Sequence, residues 1–216
     1  MLNSKKPELK ISVISDYICP FCFIGHKRLN SLRNDYELKI QWCFVEIHPE
    51  TPVMGQPVAM LDYSSDYWDT LMIHLHRLAD DEGITLPTQT IVTNSRKALL
   101  LAEKSKSLGS KIFNPLNDRI FEAYFVDGQN IGDESILRNI ANECHIPEYI
   151  IEKAWQEPYA NGPEDKTPKL LLPYLQYAGS INASSVPTII INNQKLSGVV
   201  EKSVLKNAAR LMIEST

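Results

Sequence analysis

Two cysteines, Cys19 and Cys22, are separated by two residues, and this spacing is typical of a reactive thiol pair. The pair follows a short apolar run over residues 9–15 and opens a helix-like run over residues 21–32. One thiol at such a junction can attack a disulfide, and a second thiol one helical turn later can displace the product. The motif therefore predicts thiol–disulfide exchange chemistry.

The start of the predicted helix gives this spacing a physical reason. If Cys19 is the N-cap, Pro20 falls at the first helical position, where its fixed φ fits and its missing N–H costs nothing. The Cys19 sulfur would then accept hydrogen bonds from the amides of Phe21 and Cys22, at the positive end of the helix dipole. These interactions would favour the thiolate, which is the reactive form of the side chain.

A structural zinc site and an accidental pair are the two alternatives to a reactive centre. A zinc half-site needs two further ligands, and Cys43 and Cys144 stand alone in the sequence. His26 follows Cys22 by four residues and could join such a site, but a fourth ligand is not evident. The accidental pair would lie in a surface helix. Because free cysteines are often buried, we expect Cys43 and Cys144 to be core residues.

Composition excludes several classes of protein. The chain has 216 residues, of which 44% are hydrophobic, so it can bury a sizeable core. Its formal net charge is −4 and its Lys and Arg residues are scattered, so we expect no nucleic-acid partner. The start of the chain lacks the apolar segment of a signal peptide, and no apolar run approaches the ~20 residues of a membrane span. We therefore expect a cytoplasmic protein without a membrane partner, whose four cysteines form no disulfide framework.

The hydrophobic pattern predicts the element order β-α-β, a block of helices, and then α-β-β-α. An alternating strand is predicted over residues 37–47, and the turn-forming residues that follow predict a loop over 50–63. Apolar residues at helical spacing predict four helices before residue 162, and residues 146–155 are a candidate for a short fifth. A further helix is predicted next, followed by strands over 186–192 and 195–199 and a helix over 201–214.

A second feature is Pro187, which opens the β-branched strand between Val186 and Thr188. A proline is a misfit there unless its missing N–H and its geometry serve a purpose. The tetrapeptide that begins at Ser185 leaves an ordinary trans bond and a rare cis bond both open. A cis bond beside a reactive cysteine would turn the Val186 backbone outward, where an extended substrate peptide could pair with it. The cysteine pair and the element order together favour the cis form.

Three segments carry a resemblance that extends over nearly the whole chain. They are SDYICPFCFIGHKRL, FEAYFVDGQNIGDESIL and SSVPTIIINNQKLSGV. The sequence resembles the DsbA-like thioredoxin-fold family, and within it the cytoplasmic disulfide oxidoreductases related to 2-hydroxychromene-2-carboxylate isomerase and kappa-class glutathione transferase. The resemblance implies an α/β thioredoxin fold with a large helical insertion between the β-α-β and the α-β-β-α halves. The thioredoxin-like core would comprise residues 1–62 and 163–216, and the all-helical insertion residues 63–162.

The resemblance also implies roles for individual residues. Cys19 would be the nucleophile, Cys22 the resolving thiol, and Pro187 a cis-proline that packs on the sulfurs and blocks metal ligation. We expect the substrate to contact the residues beside these three, namely Pro20, Phe21, Val186 and Thr188.

The chain departs from the pattern of that family at two places. Asn182 and Ser185 replace glycines that commonly precede the Val-Pro pair, so the loop is expected to be stiffer or differently shaped. Phe21 stands where the strongly oxidising members carry histidine. Because Phe21 offers no positive charge to a thiolate, we expect a weaker oxidant than a histidine-bearing motif would give.

The expected function is that of a thiol–disulfide oxidoreductase or disulfide isomerase acting on protein or small-thiol substrates. Glutathione is a candidate co-substrate, and no metal or bound cofactor is expected. The alternative is a glutathione-dependent isomerase or transferase on the same fold, in which serine usually occupies the position of Cys19. A third hypothesis is a redox-inactive binding module with a vestigial motif.

Two ionisable residues lie close to the motif in the sequence. Asp16 could accept a proton when Cys22 resolves a mixed disulfide, or it could cap a turn or lie in solvent. His26 could tune the thiols from the same helix face, or it could be exposed or hydrogen-bonded elsewhere.

Overall fold

The computed structural model describes residues 6–61, 63–87, 90–160 and 166–214. Its strands are β1 (Glu8–Ser15), β2 (Glu37–Phe44), β3 (Gln56–Pro57), β4 (Ile91–Val92), β5 (Thr188–Ile191) and β6 (Gln194–Ser197). Its helices are α1 (Pro20–Ser31), α2 (Ser65–Asp80), α3 (Arg96–Ser105), α4 (Ser110–Phe125), α5 (Glu134–Glu143), α6 (Glu148–Trp155), α7 (Leu172–Ser180) and α8 (Lys202–Glu214). The predicted order of elements is therefore present.

A four-stranded sheet in the order β2-β1-β5-β6 lies at the centre of the core. Strands β1 and β2 are parallel and are joined by α1, the kind of crossover that parallel strands require. Strand β5 is antiparallel to β1, and β6 is antiparallel to β5. Val13 of β1 lies in register between Trp42 and Ile189, and all three side chains are buried. The amino end of α1 therefore lies just beyond the carboxyl end of the central strand β1.

Three predicted strands are shorter than the sequence suggested, and one of them is β6, which spans Gln194–Ser197 instead of residues 195–199. β2 ends at Phe44 instead of Ile47, although the Val45 amide still donates to the Ser15 carbonyl at 3.1 Å. β5 begins at Thr188, which leaves Val186 and Pro187 in the loop before it. In β2 and β5 the apolar run extends beyond the paired residues, because burial of side chains and pairing of backbone need not have the same limits.

The predicted loop over residues 50–63 contains a strand that sequence reasoning missed. Gln56 and Pro57 pair antiparallel with Val92 and Ile91 to form a separate two-stranded sheet. The partner strand lies about 35 residues further along the chain, so no local periodicity announces the pair.

The helices between β2 and β5 are delimited by local signals. Ser64 caps α2 by accepting a hydrogen bond from the Tyr67 amide at 3.4 Å, and Asp133 caps α5 by accepting one from the Ser135 amide at 2.7 Å. Gly83 follows α2 with φ of +65°, which suits a residue without a Cβ. All four strands of the main sheet lie before or after this helical block in the chain, while the domain boundaries at residues 62 and 163 stay a prediction.

The isolated cysteines behave differently from one another. Cys43 is buried in the core, as its strand position predicts. Cys144 lies at the C-cap of α5 and is half-buried, but it packs against the main hydrophobic core. Its prediction as a core residue is therefore confirmed only in part.

Candidate functional site

The amino end of α1 holds the cysteine pair much as the sequence predicts. Cys19 is the N-cap with φ of −86° and ψ of 114°, and Pro20 occupies the first turn. The Cys19 carbonyl accepts hydrogen bonds from the amides of Cys22 at 3.0 Å and Phe23 at 3.2 Å. Both Cys19 and Cys22 are free thiols.

The predicted capping role of the Cys19 sulfur was wrong. Its side chain makes no capping hydrogen bond, and the Sγ atom lies 3.6 Å from the Val186 carbonyl oxygen instead. The Cys22 amide is already paired with the Cys19 carbonyl, so the sulfur is free to turn towards the loop before β5. The thiol therefore lies between the helix start and the Val186 backbone.

Cys22 lies one turn into α1 and is 1% exposed. Burial raises the pKa of its thiol well above the ordinary value, and the hydrogen bond and charge of Cys19 raise it further. The neighbouring Ser15 hydroxyl and Asp16 backbone lower it, but by less. Together these effects keep the Cys22 thiol protonated.

The loop before β5 contains the predicted cis bond, between Val186 and Pro187. Pro187 is buried against α1, where its Cγ would lie only 3.1 Å from a Cβ added at Gly25. Gly25 thus permits the close approach of helix and loop, and sequence reasoning missed it. A lone glycine inside a helical pattern was the available signal.

Thr188 is the predicted substrate-binding residue that the fold places differently. It is fully buried in β5, and its hydroxyl donates to the Ser185 carbonyl at 2.6 Å. That contact fixes the loop from inside and keeps the Thr188 side chain away from the surface beside Cys19. Val186, by contrast, is half-buried and presents its carbonyl to the Cys19 sulfur.

Asp16 is fully buried and its carboxyl group accepts a hydrogen bond from the amide two residues later, so of the alternatives left open the position in solvent is wrong and the turn cap is confirmed. Its carboxylate accepts hydrogen bonds from the Ile47 amide at 2.8 Å and the Ile18 amide at 3.3 Å, and from the Ser95 hydroxyl. Burial raises its pKa from 3.8 to about 7, because these neutral dipoles offset only part of the desolvation of the charge.

His26 is buried and hydrogen-bonded, one of the two outcomes that the sequence left open. Its Nε2 lies 2.5 Å from Oδ1 of Asp118 on α4. Burial raises the pKa of Asp118, but the hydrogen bond and charge of His26, with help from Asn30 and Lys27, lower it by more. His26 therefore ties α1 to the helical block.

Phe21 lies in the first turn of α1, between the two cysteines, and is half-exposed. Its ring stacks on His74 of α2 with centroids 6.0 Å apart and planes at 27°. No local pattern predicts this contact, because His74 is 53 residues away and its helix position is decided by packing.

A cavity of about 280 Å³ opens beside Cys19. Pro20 and Phe21 contribute to it from α1, and Cys22 and Val186 are not among its lining residues. The opposite walls come from the loop after β2, from α2 and from α4, and include Tyr63, Trp68, Leu71 and Tyr124. Cys19 therefore has the cis-proline loop as one neighbour and an apolar cavity as another.

The described residues include no group of three or more His, Cys, Asp or Glu side chains placed to hold a metal ion. Within the same part of the chain, none of the helices is both long enough and apolar enough to cross a bilayer.

A sheet in this order, a cysteine pair at the start of α1 and a cis-proline opposite it define a thioredoxin-fold protein of the oxidoreductase type. Residues 10–210 match the DSBA-like thioredoxin domain, and the chain belongs to that family. The predicted fold class and family are thereby confirmed.

Known proteins agree with this assignment. The Bacillus subtilis protein YwbO, itself uncharacterised, is 26% identical over 199 residues, which is 92% of this chain and 94% of that protein. A probable DsbA oxidoreductase from Streptomyces coelicolor has a similar structure, with a TM-score of 0.78, 17% identity and coverage of 96% of this chain and 91% of the other. The cytosolic disulfide reductase DsbM from Pseudomonas aeruginosa, in a structure with GSH, gives a TM-score of 0.66 at 15% identity, covering 96% and 98% of the two chains.

Proposed function

We propose that the chain is a thiol–disulfide oxidoreductase that exchanges disulfides with protein or small-thiol substrates through Cys19 and Cys22. The observation that carries the proposal is the unequal placement of the two thiols. Both thiols are buried, but Cys19, which is 5% exposed, lines the cavity and lies 3.6 Å from the Val186 carbonyl, whereas Cys22 is 1% exposed and does not line it. A substrate group that enters the cavity therefore meets the first thiol and not the second.

In the reductive direction, the Cys19 thiolate attacks one sulfur of a substrate disulfide and the other sulfur leaves with the electron pair. The product is a mixed disulfide between Cys19 and the substrate. The Cys22 thiol then loses its proton and attacks the Cys19 sulfur, which releases the substrate thiolate and leaves a Cys19–Cys22 disulfide. The reverse sequence oxidises a substrate dithiol.

The second step needs a proton acceptor, because burial holds Cys22 in its protonated form. The charge of a Cys19 thiolate contributes to that raised pKa, and it disappears when Cys19 enters the mixed disulfide. Formation of the mixed disulfide therefore makes Cys22 more acidic at the moment when its thiolate is required. Asp16, whose pKa is about 7, belongs to the proposal as a group able to take up the proton near neutral pH.

Trapping of the mixed disulfide tests the proposal. The variant Cys22→Ser lacks the resolving thiol, so we expect it to accumulate covalent adducts with a disulfide-containing protein such as scrambled ribonuclease, detected by mass spectrometry. Cys19→Ser in the same background should abolish the adducts. Cys144→Ser is the matched control, because Cys144 is the half-buried thiol that could react adventitiously.

The alternative, a glutathione-dependent isomerase or transferase, makes a different prediction. It expects a glutathione complex and isomerase turnover that survive Cys19→Ala. Adducts that form at Cys144 instead of Cys19, or turnover that is independent of Cys19, would contradict the exchange mechanism. Glutathione as a co-substrate and a cytoplasmic location belong to the proposal, and the adduct masses and cell fractionation test them.

A further inference from the structure

The cavity beside Cys19 has an unusually uniform chemistry for a site next to a nucleophile. Its walls come from several separate segments of the chain, and they present aromatic and aliphatic side chains such as Tyr63, Trp68, Leu71, Met72 and Leu86. The rings of Tyr63 and Trp68 stack, with centroids 6.0 Å apart. Side chains of this kind exclude water and favour apolar occupants.

Charge is nearly absent from the same walls. Of the lining residues within the described part of the chain, none is Lys, Arg, Asp or Glu. The histidines at the rim are His48 and His76, and burial lowers the pKa of His48, which keeps it neutral at neutral pH. A carboxylate or ammonium group that entered the cavity would lose water without gaining a charged partner.

The cavity also lies where a substrate substituent has to go. Cys19 contributes to its wall, and Tyr63 is close enough that a Cys19 thiolate raises the pKa of its phenol, in addition to the effects of burial and of Tyr67. The Val186 carbonyl occupies another side of the sulfur. A group attached close to the attacked substrate sulfur can therefore extend into the cavity.

We infer that this cavity selects disulfides in which the sulfur attacked by Cys19 carries a bulky uncharged apolar group close by, and that glutathione, the candidate co-substrate, reacts more slowly than such disulfides. The inference rests on the proposed function and names its substrate class. A cavity of about 280 Å³ has room for one large side chain, since about 150 Å³ is enough to hold benzene. Glutathione brings two carboxylates and an ammonium group, for which the described walls offer no counter-charge.

The reaction used for the test consists of two consecutive exchanges and, with the Cys19–Cys22 pair reduced beforehand, needs no added reductant. The Cys19 thiolate forms a bond to the sulfur of a peptide cysteine, and the bond from that sulfur to 5-thio-2-nitrobenzoate breaks. The leaving thiolate keeps the electron pair and is coloured. Cys22 then displaces the peptide thiol, so the two electrons come from the reduced Cys19–Cys22 pair.

The experiment compares blocked pentapeptides Gly-Leu-Cys-Leu-Gly and Gly-Asn-Cys-Asn-Gly with glutathione, all as conjugates of the same coloured thiol. Leucine and asparagine are similar in size, so the pair isolates polarity. We expect the second-order rate constant for the leucine peptide to exceed the other two by about tenfold or more, the effect of burying one leucine side chain. A benzyl thiol conjugate shows whether a small molecule suffices or a peptide backbone is required as well.

Two charge-matched variants locate the selectivity. Leu71→Lys places a cation in the cavity wall and should reduce the preference for leucine over glutathione at least fivefold. Ile73→Lys, two residues away on α2, is 72% exposed and outside the cavity, so it carries the same charge without entering the site. It should leave the preference within twofold of the wild type.

The results separate this inference from the proposed function. Equal rates for leucine and asparagine peptides, a preference for glutathione, or equal effects of the two lysine variants would overturn the inference while leaving Cys19 as the nucleophile. Colour release no faster than that of Cys19→Ser with every conjugate would instead overturn the proposed function, and this inference with it.

Discussion

The two halves of α1 provide contrasting environments within one helix. At its amino end the thiols contact neutral groups, namely the Val186 carbonyl, the Ser15 hydroxyl and the Asp16 backbone. Further along the same helix, Arg28 forms an ion pair with Glu82, and His26 forms a hydrogen bond with Asp118. The second half of α1 is therefore anchored by contacts with acidic side chains, whereas its amino end carries the thiols of the candidate site.

One fully buried carboxyl group, Asp16, and one partly exposed carboxyl group, Asp118, show the same division in their acidity. Burial raises the pKa of Asp16 to about 7, because its partners are amides and a hydroxyl. Asp118 also loses solvent, yet its pKa is lowered, because His26 supplies a hydrogen bond and a charge. The partner's charge, and not burial alone, decides the direction of the shift.

The largest expected effect is the loss of stability when Arg28, in the second half of α1, is replaced. Arg28 is 2% exposed and donates to Glu82 at 2.7 Å and to the Val200 carbonyl at 2.8 Å. Arg28→Ala should lower the free energy of unfolding by about 3–5 kcal/mol, because it leaves the 7% exposed Glu82 with Lys202 as its remaining charged partner. Urea denaturation measures this change.

Lys27→Ala is the control for Arg28. Lys27 pairs with Glu122 at 2.8 Å, but both side chains are more than a third exposed, so removal of the pair should cost only about 0–1 kcal/mol. Similar losses for both variants would mean that the buried contacts of Arg28 do not anchor the helix. Disulfide exchange per folded molecule should be unchanged in both.

The next effect is the pH dependence of stability that comes from Asp16. Its carboxyl keeps its proton up to about pH 7 in the fold, whereas it ionises near 3.8 when exposed. The folded state therefore binds more protons, and this group's contribution to stability falls as pH rises through that window. Between pH 5 and 8 the wild type should lose roughly 2–3 kcal/mol from this source, and Asp16→Asn should not.

Asp118→Asn should remove a pH dependence of stability that has the opposite sign to that of Asp16. The pKa of Asp118 is lowered in the fold, so its contribution is present above the ordinary carboxyl pKa and is lost as pH falls. Chemical denaturation of both variants across pH 3 to 8 measures the two slopes. Parallel slopes for the two variants would contradict the contrast between the carboxyl groups.

A smaller effect is expected when a charge is brought to the redox end. Phe21→His should raise the reduction potential by about 20–40 mV, equivalent to about 1–2 kcal/mol, by stabilising a Cys19 thiolate in the reduced state. Phe21→Leu removes the ring without adding a charge and should change the potential by less than about 10 mV on the same scale. Equilibration with glutathione buffers gives the values. A wild-type potential near −120 mV, that of the strongest oxidants of the fold, would contradict the expectation of a weak oxidant.

The smallest expected change in stability comes from Gly25→Ala. A gain in helix propensity of about 1 kcal/mol opposes the crowding of Pro187, so the net change in free energy should lie within about 1 kcal/mol. The rate of exchange should nevertheless fall several-fold, because the new methyl group lies 3.1 Å from the Pro187 Cγ and displaces that loop. Gly179→Ala in α7, where no atom lies within 4 Å, should leave the rate unchanged.

Much of the fold could be predicted from the sequence, because its signals are local. Pro20 at a helix start, Asp133 at an N-cap and alternating apolar residues in β2 each follow from backbone geometry within a few residues. The strand at Gln56 and Pro57 could not be predicted, because its partner is distant and its length offers no periodicity. Nor could the environment of Asp16, since a sequence does not show which loops will cover a strand end.

The cysteine pair and the order of elements were determined by the sequence alone, and they were sufficient to indicate the thioredoxin fold and a redox centre. Tertiary structure decided which groups surround each sulfur. It turned Cys19 towards Val186 instead of towards its own helix amides, buried Cys22, and placed an apolar cavity beside the first thiol. The physical reason is that the spacing of residues along a helix fixes where each side chain leaves the backbone. The polarity around each sulfur, and its access to a substrate, depend on segments that are distant in the sequence.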